Sequence, residues 1–433
     1  MENIKREIKG TKGCGKRCHA SRLMPPRVSG LTSRAHTPWP KVRLGAICSR
    51  VASGGTPSTK HPEYYGGTIP WLRTQEVDFK PIYSTELFIT EDGLSNSSAK
   101  WIPENTVIVA MYGATAGRSA ITKIALTTNQ ACCNLMVDGL QADYRFVYYM
   151  LRLRYAELEG LAKGSAQTNL SAGIIKEFEI PLPPLPVQRR IADILSAYDD
   201  LIENNRRRIA ILEETARLTY RKWFVERHFP GYECVSIEEG IPHGWRKAHL
   251  GDCVVTNLQS YRVTELPSQI NYIDISSVKE GRVLEKKHLF SHEAPGRARR
   301  IARSGDVIWS NVRPNLKSYA LILEPEADDV FSTGFTILTP KSIPYSFLYF
   351  FVSTDEFVSY LCNMVTGATY PAVRPGDFEQ AELLLPNSEL LTSFHTLFEP
   401  LLWQCEVLVR QNVALATARD MLLPRLMKGV VNL

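Results

Sequence analysis

The chain repeats itself once, at long range. Trp39-Pro40-Lys41-Val42-Arg43-Leu44-Gly45 returns as Gly244-Trp245-Arg246-Lys247-Ala248-His249-Leu250-Gly251. Asn105-Thr106-Val107-Ile108-Val109-Ala110 returns as Ser304-Gly305-Asp306-Val307-Ile308-Trp309-Ser310. Lys163-Gly164-Ser165-Ala166-Gln167-Thr168 is echoed by Thr366-Gly367-Ala368-Thr369-Tyr370, and both copies run on to Pro181 or Pro386. The offset is 206 residues at Leu-Gly, 200 at the strand, 203 at the Gly loop and 205 at the proline. A near-constant shift over so long a period marks two related domains in tandem, because solenoid repeats are shorter. Two similar modules on one chain suit a two-part target with pseudo-twofold symmetry, of which double-helical DNA is the obvious case.

With 433 residues there is room for two or three domains, each with its own core. No apolar run reaches the ~18 residues that span a bilayer, so no membrane association is expected. Residues 1–38 carry nine Lys/Arg against Glu2 and Glu7, a net of +7, so the remainder of the +6 chain sums to −1. Affinity for a polyanion must therefore come from local patches on a balanced surface. Polar, Gly/Ser/Thr/Pro-rich and without periodicity, 1–38 is expected to be a disordered basic extension and not a secretory signal. Nine irregularly spaced cysteines, Cys132-Cys133 adjacent among them, favour reduced thiols and a cytoplasmic location over a disulfide framework.

Both units, 39–186 and 240–386, read as α/β. Val107 to Met111 and Phe178 to Leu182 are expected strands in the first, with a helix from Phe146 to Leu161. Val307 to Ser310, Phe335 to Leu338 and Ala381 to Leu385 are strands in the second, with a helix from Ile343/Pro344 to Cys362. Between the units, Pro181-Leu182-Pro183-Pro184-Leu185-Pro186 is stiff and extended. Gln188 to Val225 then runs without Gly or Pro. Ile191, Tyr198, Asn205 and Leu212 fall seven apart, flanked by Ile194, Leu195, Leu201, Ile202 and Ile209: a heptad seam in which Asn205 would fix register. From Leu390 to Lys428, Phe394, Leu401, Leu408, Leu415 and Leu422 recur every seven residues, Leu397 broadens the stripe, Asn412 lies within it and Pro400 is expected to kink it. The expected architecture is two similar α/β domains separated by two long antiparallel helices (187–228 and 387–433), a coiled-coil-like rod with pseudo-twofold symmetry. Trp223-Phe224 is the best candidate there for a partner or domain contact.

The proline exit followed by Val187-Gln188-Arg189-Arg190-Ile191-Ala192, the segment Arg419-Asp420-Met421-Leu422-Leu423-Pro424-Arg425-Leu426-Met427-Lys428-Gly429, and the opening Trp39-Pro40 with Leu44-Gly45 together resemble the specificity subunit of type I restriction–modification systems. The likeness covers about 39–433; the second exit, Leu385-Pro386-Asn387-Ser388, departs from it by lacking the proline run and the Gln. The resemblance implies a non-catalytic subunit with two target-recognition domains, each reading half of a bipartite DNA sequence. It also implies a helical spacer on which two modification (methyltransferase) subunits dock, joined by restriction subunits that translocate and cleave DNA with ATP. S-adenosylmethionine, ATP and Mg would then be held by those partners, leaving this chain without catalytic, cofactor or metal residues.

The residues agree on what is missing. No Asn/Asp-Pro-Pro-Tyr/Phe loop of an adenine methyltransferase occurs. Gly10 to Lys16 approximates a phosphate-binding loop, but Arg17 replaces its Ser/Thr. Cys14, Cys18 and His19 lack a second ligand pair. Asp274 with Glu285-Lys286-Lys287 has a loose nuclease spacing of the kind chance supplies.

Base edges call for Arg/Lys on guanine and Asn/Gln on adenine, and phosphates for Lys/Arg, Ser/Thr and backbone N–H groups. Loops where these types meet Gly give the candidates Arg73, Gln75, Tyr112, Thr115, Arg118, Gln130, Lys163, Gln167 and Asn169 in the first unit. The second offers Arg300, Arg303, Asn311, Arg313, Asn315, Lys317, Thr369, Tyr370 and Arg374. The loops after Val107–Met111 and at 311–317 rank first, since both follow the same strand. Three alternatives stay open: the same subunit in a methylation-only complex, a self-contained DNA-modifying enzyme, and a coiled-coil scaffold without a DNA role. Lengthening 188–225 by a heptad should lengthen the gap between half-sites.

Overall fold

The computed structural model describes residues 39–163, 169–365 and 372–429. It forms two heads of one topology on a two-helix rod. In the first head, one sheet has the order Cys48–Ser53, Cys132–Val137, Val107–Ala110, Ser119–Thr122, Pro81–Ile82. A second has the order Leu87–Ile89, Tyr65–Leu72, Leu126–Thr128, Trp101–Ile102. The second head repeats the first sheet as Val254–Thr256, Phe335–Pro340, Asp306–Ser310, Tyr319–Ile322. Its other sheet runs Lys287–Phe290, Gln269–Ile273, Asp329–Ser332, Ala298–Ile301, and adds an outer strand, Gln259–Ser260. Even strand sense repeats: Tyr65–Leu72 is parallel to Leu126–Thr128, as Gln269–Ile273 is to Asp329–Ser332.

The repeated central strand is buried on both faces. Val107 and Val109 enter the core beneath the head's helices, whereas Ile108 and Ala110 enter the core of the other face. Val307 and Trp309 separate from Ile308 in the same way. Alternation of side chains across a strand makes this possible, and it explains the absence of polar residues inside the strand.

Each head closes where the chain enters and leaves: Lys41–Arg43 pairs with Glu179–Pro181, and Arg246–His249 with Glu382–Leu385. The repeated Leu-Gly follows from this closure. A Cβ on Gly45 would stand 3.2 Å from Lys176 Cβ, and one on Gly251 3.0 Å from Glu379 Cβ. The helices expected over 146–161 and 343–362 are each divided, into Tyr144–Leu153 with Tyr155–Lys163 and Tyr345–Val352 with Asp355–Met364. In the second case the Thr354 hydroxyl accepts the Phe357 N–H and starts a new helix.

The rod consists of Leu185–Tyr220, prolonged by a π-helical turn at Arg221–Val225, and Ser388–Met427. The first helix begins before Gln188 because Pro186 sits in its first turn, where a missing N–H costs nothing. The second continues through Pro400 and Pro424. They pack antiparallel, and Asn205 Nδ2 donates to Asn412 Oδ1 at 3.0 Å. Among the expected seam residues, Ile191, Asn205 and Leu408 are buried, while Tyr198, Leu212, Leu401, Asn412 and Leu415 are half-buried. Leu201 and Leu397 face outward, about half exposed. Leu195, Ile202 and Ile209, expected beside that row, are buried, as are Leu402 and Cys405. A straight helix drifts about 20° per heptad, so a strict seven-residue row rotates off the contact face.

Each head is seated on the start of one rod helix and the finish of the other. Leu423, Leu426 and Met427 share the first head's core with Ile191, Ala192 and Leu195. Ala216, Tyr220, Trp223 and Phe224 share the second head's core with Leu390, Phe394 and Phe398. Trp223 and Phe224 therefore make a domain contact, with the Phe224 and Phe347 rings edge-on at 5.0 Å. The first joint carries charge as well. Arg419 pairs with Asp199, both side chains nine-tenths buried. The Tyr149 hydroxyl donates to Asp199 at 2.5 Å, and Asp420 accepts from Arg419 and Arg152, each at 2.9 Å. Among the described residues no helix is long and apolar enough to cross a membrane.

Candidate nucleic-acid interface

The same backbone bonds bring the candidate loops together in both heads. Met111 N–H donates to Ala131 O, and Leu170 N–H to Met111 O. In the second head Asn311 N–H donates to Gly334 O, and Val373 N–H to Asn311 O. The segment following each Gly loop thus returns to the end of the central strand.

Around this frame in the first head, Asn129 N–H donates to Leu72 O, which sets Gln130 beside the turn that carries Arg73 and Gln75. Thr56 Oγ1 donates to Gln130 Oε1. Thr115 Oγ1 donates to Thr74 O at 2.9 Å, tying the loop after the central strand to that turn. Tyr112 and Gln75 are exposed, and Asn169 is half-buried beside Leu170. The two arginines are held by acids, Arg73 by Glu86 at 2.9 Å and Arg118 by Asp78 at 2.6 Å. Lys163 closes the helix Tyr155–Lys163. Gln167, Thr369 and Tyr370 lie outside the described residues, as do Gly10 to Lys16 and Cys14 to His19.

In the second head Asn311, Arg313, Asn315 and Arg374 surround the corresponding point, the latter three exposed. Asn311 Oδ1 accepts from Thr336 Oγ1 at 2.6 Å, which leaves its amide NH₂ to act as donor. Arg313 and Lys317 flank the turn Pro314–Leu316 with φ of 51° and 52°, left-handed positions that cost a non-glycine residue energy. Lys317 turns back to Asp355 at 2.8 Å. Arg303 stands apart from this group. Its N–H donates to Asp306 at the start of the central strand, the far end from Asn311. Arg300 and Arg303 lie instead along the outer sheet, donating to Ser260 Oγ at 3.0 Å and Gln259 Oε1 at 3.2 Å. Reading loops alone misses Thr56, Gln259 and Ser260; their signal is polar side chains in short strand-like runs.

The loose nuclease spacing resolves into ordinary ion pairs. Lys287 binds Asp274 at 2.5 Å, while Lys286 binds Glu326 and Asp329. Burial would raise the Asp274 carboxyl, but hydrogen bonds from Lys287, Ser276 and Ser277 bring it down to about 2. Glu326, Asp328 and Asp329 approach one another closely enough to share a cation, yet Lys286 already supplies positive charge there.

Comparison with known proteins agrees with this arrangement. The family described as "Type I restriction modification DNA specificity domain" matches residues 37–214. The chain is 27% identical over 392 residues to the type I restriction enzyme MjaIX specificity subunit of Methanocaldococcus jannaschii, covering 88% of this chain and 90% of that one. It is 29% identical over 164 residues to the EcoR124I/EcoR124II specificity subunit of Escherichia coli, covering 36% of this chain and 40% of the relative. In fold it is similar to the crystal structure of a type I restriction–modification S subunit from M. genitalium, with a TM-score of 0.59 over 92% of this chain and 98% of that one at 16% identity. Two like heads on an antiparallel rod are the fold that the chain shares with that S subunit structure. Residues 37–214 match that specificity-domain family, and over most of its length the chain is similar to type I restriction–modification specificity subunits.

Proposed function

We propose that this chain is the non-catalytic, DNA-reading subunit of a type I restriction–modification complex. Each head reads one half of a bipartite duplex sequence, and the rod sets the gap between the halves. Two methyltransferase subunits dock on the rod, and restriction subunits complete the assembly. S-adenosylmethionine, ATP and Mg belong to those partners, and the whole acts in the cytoplasm. The observation that carries this reading is the recurrence of one loop frame, Met111–Ala131–Leu170 and Asn311–Gly334–Val373, on heads seated at the two ends of one rod. Side chains able to contact bases (Gln75, Gln130, Asn311, Asn315, Arg313, Arg374) gather around that frame in each copy. Methylation-sensitive sequencing of the host genome with and without this gene tests it. The expected result is loss of one split motif; an unchanged methylome refutes it.

A further inference from the structure

The duplication supplies an internal control, because each position in one head can be compared with its counterpart in the other. Asn105 and Gly305 are equivalent, both with positive φ before the central strand. Counting back from them, Arg299, Arg300 and Arg303 of the second head correspond to Ala99, Lys100 and Pro103 of the first. Ala99 is buried in a small apolar cluster. The second head also has the outer strand Gln259–Ser260, which has no partner strand in the first head's sheet among the described residues.

We propose that this edge, Arg299, Arg300 and Arg303 with Ser260 and Gln259, is a clamp for the phosphate backbone of duplex DNA, present on the second head alone. The proposal rests on the DNA-reading function above. Among the described residues none of the three arginines has a carboxylate within salt-bridge distance, in contrast to Arg73 and Arg118 of the first head. Their guanidinium groups meet neutral acceptors: Arg300 bonds Ser260 Oγ, Arg303 bonds Gln259 Oε1 and Arg299 bonds Ala298 O, while the one acid beside them among the described contacts, Asp306, accepts the Arg303 backbone N–H. Arg300 is half-buried, its Nε is sealed from solvent without a partner, and burial pulls its pKa below the usual range. A desolvated cation of this kind gains most from an anion brought to it. Three acids of this head are engaged elsewhere, Glu324 by Arg410 of the rod and Glu326 and Asp329 by Lys286. A row of arginines along an extended edge matches a linear array of phosphates, and serine and amide groups are the usual companions in such contacts.

The test is the salt dependence of binding to a random-sequence duplex by the complex purified through this chain. Each phosphate contact contributes about 0.9 to the slope of log K against log salt. The variant R299Q/R300Q/R303Q should lower that slope by about 2 to 3, and K100Q in the first head by no more than about 1. Because Arg300 is half-buried, R303Q alone serves as a variant that spares the fold, with an expected loss of about 1. The methylated motif should be unchanged in every variant. An unaltered slope overturns the clamp. An altered motif also overturns it, by making these arginines base readers, while leaving the proposed function standing. Wild-type complex that binds no duplex refutes the function itself.

Discussion

Replacing Arg419 by Met should loosen the joint between the first head and the rod. Arg419 and Asp199 are only 9% and 8% exposed, so the variant leaves a carboxylate in a site shielded from water. Removing one partner of such a pair costs about 3–5 kcal/mol, whereas replacing both by apolar groups of similar volume is often neutral. Tyr149 still donates to Asp199, and its own proton is held far above the usual range by burial and by that carboxylate, so it softens the loss. The expected cost is therefore at the lower end, about 3 kcal/mol. The double variant D199L/R419M should return to within about 1 kcal/mol of the parent. Urea unfolding of the full chain measures the cost, and hydrogen exchange along Tyr144–Leu153 localises it to the first head. A single variant costing under about 1 kcal/mol, or a double variant worse than the single, refutes the reasoning.

Seven residues added to both rod helices should lengthen the unspecified spacer by about 10.5 Å, roughly three base pairs, as read in the methylated motif. The same insertion in Leu185–Tyr220 alone, expected from sequence to lengthen the gap, should instead break the register of Asn205 on Asn412, because the second helix is paired along the first, and abolish assembly, as gel filtration would show. N412L should leave Asn205 facing an apolar group, and N205L/N412L should be more stable than the parent in urea while losing a unique register, seen as doubled resonances or mixed oligomers. Asp274 has a folded pKa lowered to about 2 from 3.8, so its contribution is present above the unfolded value and lost as pH falls toward 2. D274N should flatten the acid limb of the second head's stability curve below about pH 4, measured by thermal unfolding across pH.

The parts of this fold legible in the sequence are those with local or repeated signals. Val107–Ala110 and Asp306–Ser310 are continuous apolar runs, and the two rod helices carry long apolar stripes. The second sheet of each head was not legible, since Trp101–Ile102 and Gln259–Ser260 have only two residues each and pair with strands distant in sequence. The rod's contact row was legible in Ile191, Leu195, Ile202, Asn205 and Ile209, but a strict seven also turns Tyr198 and Leu201 toward the middle when they face outward or half outward. The Asp199–Arg419 pair spans 220 positions, and nothing local foretells it except two charges lying in otherwise apolar stripes. At the interface, residue type pointed to Arg300 and Arg303. Only the outer strand shows that they lie along a sheet edge, apart from the loop that holds Asn311.

The seating of Leu423, Leu426 and Met427 under the first head has a consequence for biosynthesis. The head that leaves the ribosome first cannot finish burying its interior until a helix encoded after the entire second head has been made. Until then Ile191 and Leu195 stay without their cover, in a nascent chain whose later head can already close on Tyr220 and Phe224. Order of translation and order of completion are thus reversed, and the early head is the one whose apolar interior stays open longer.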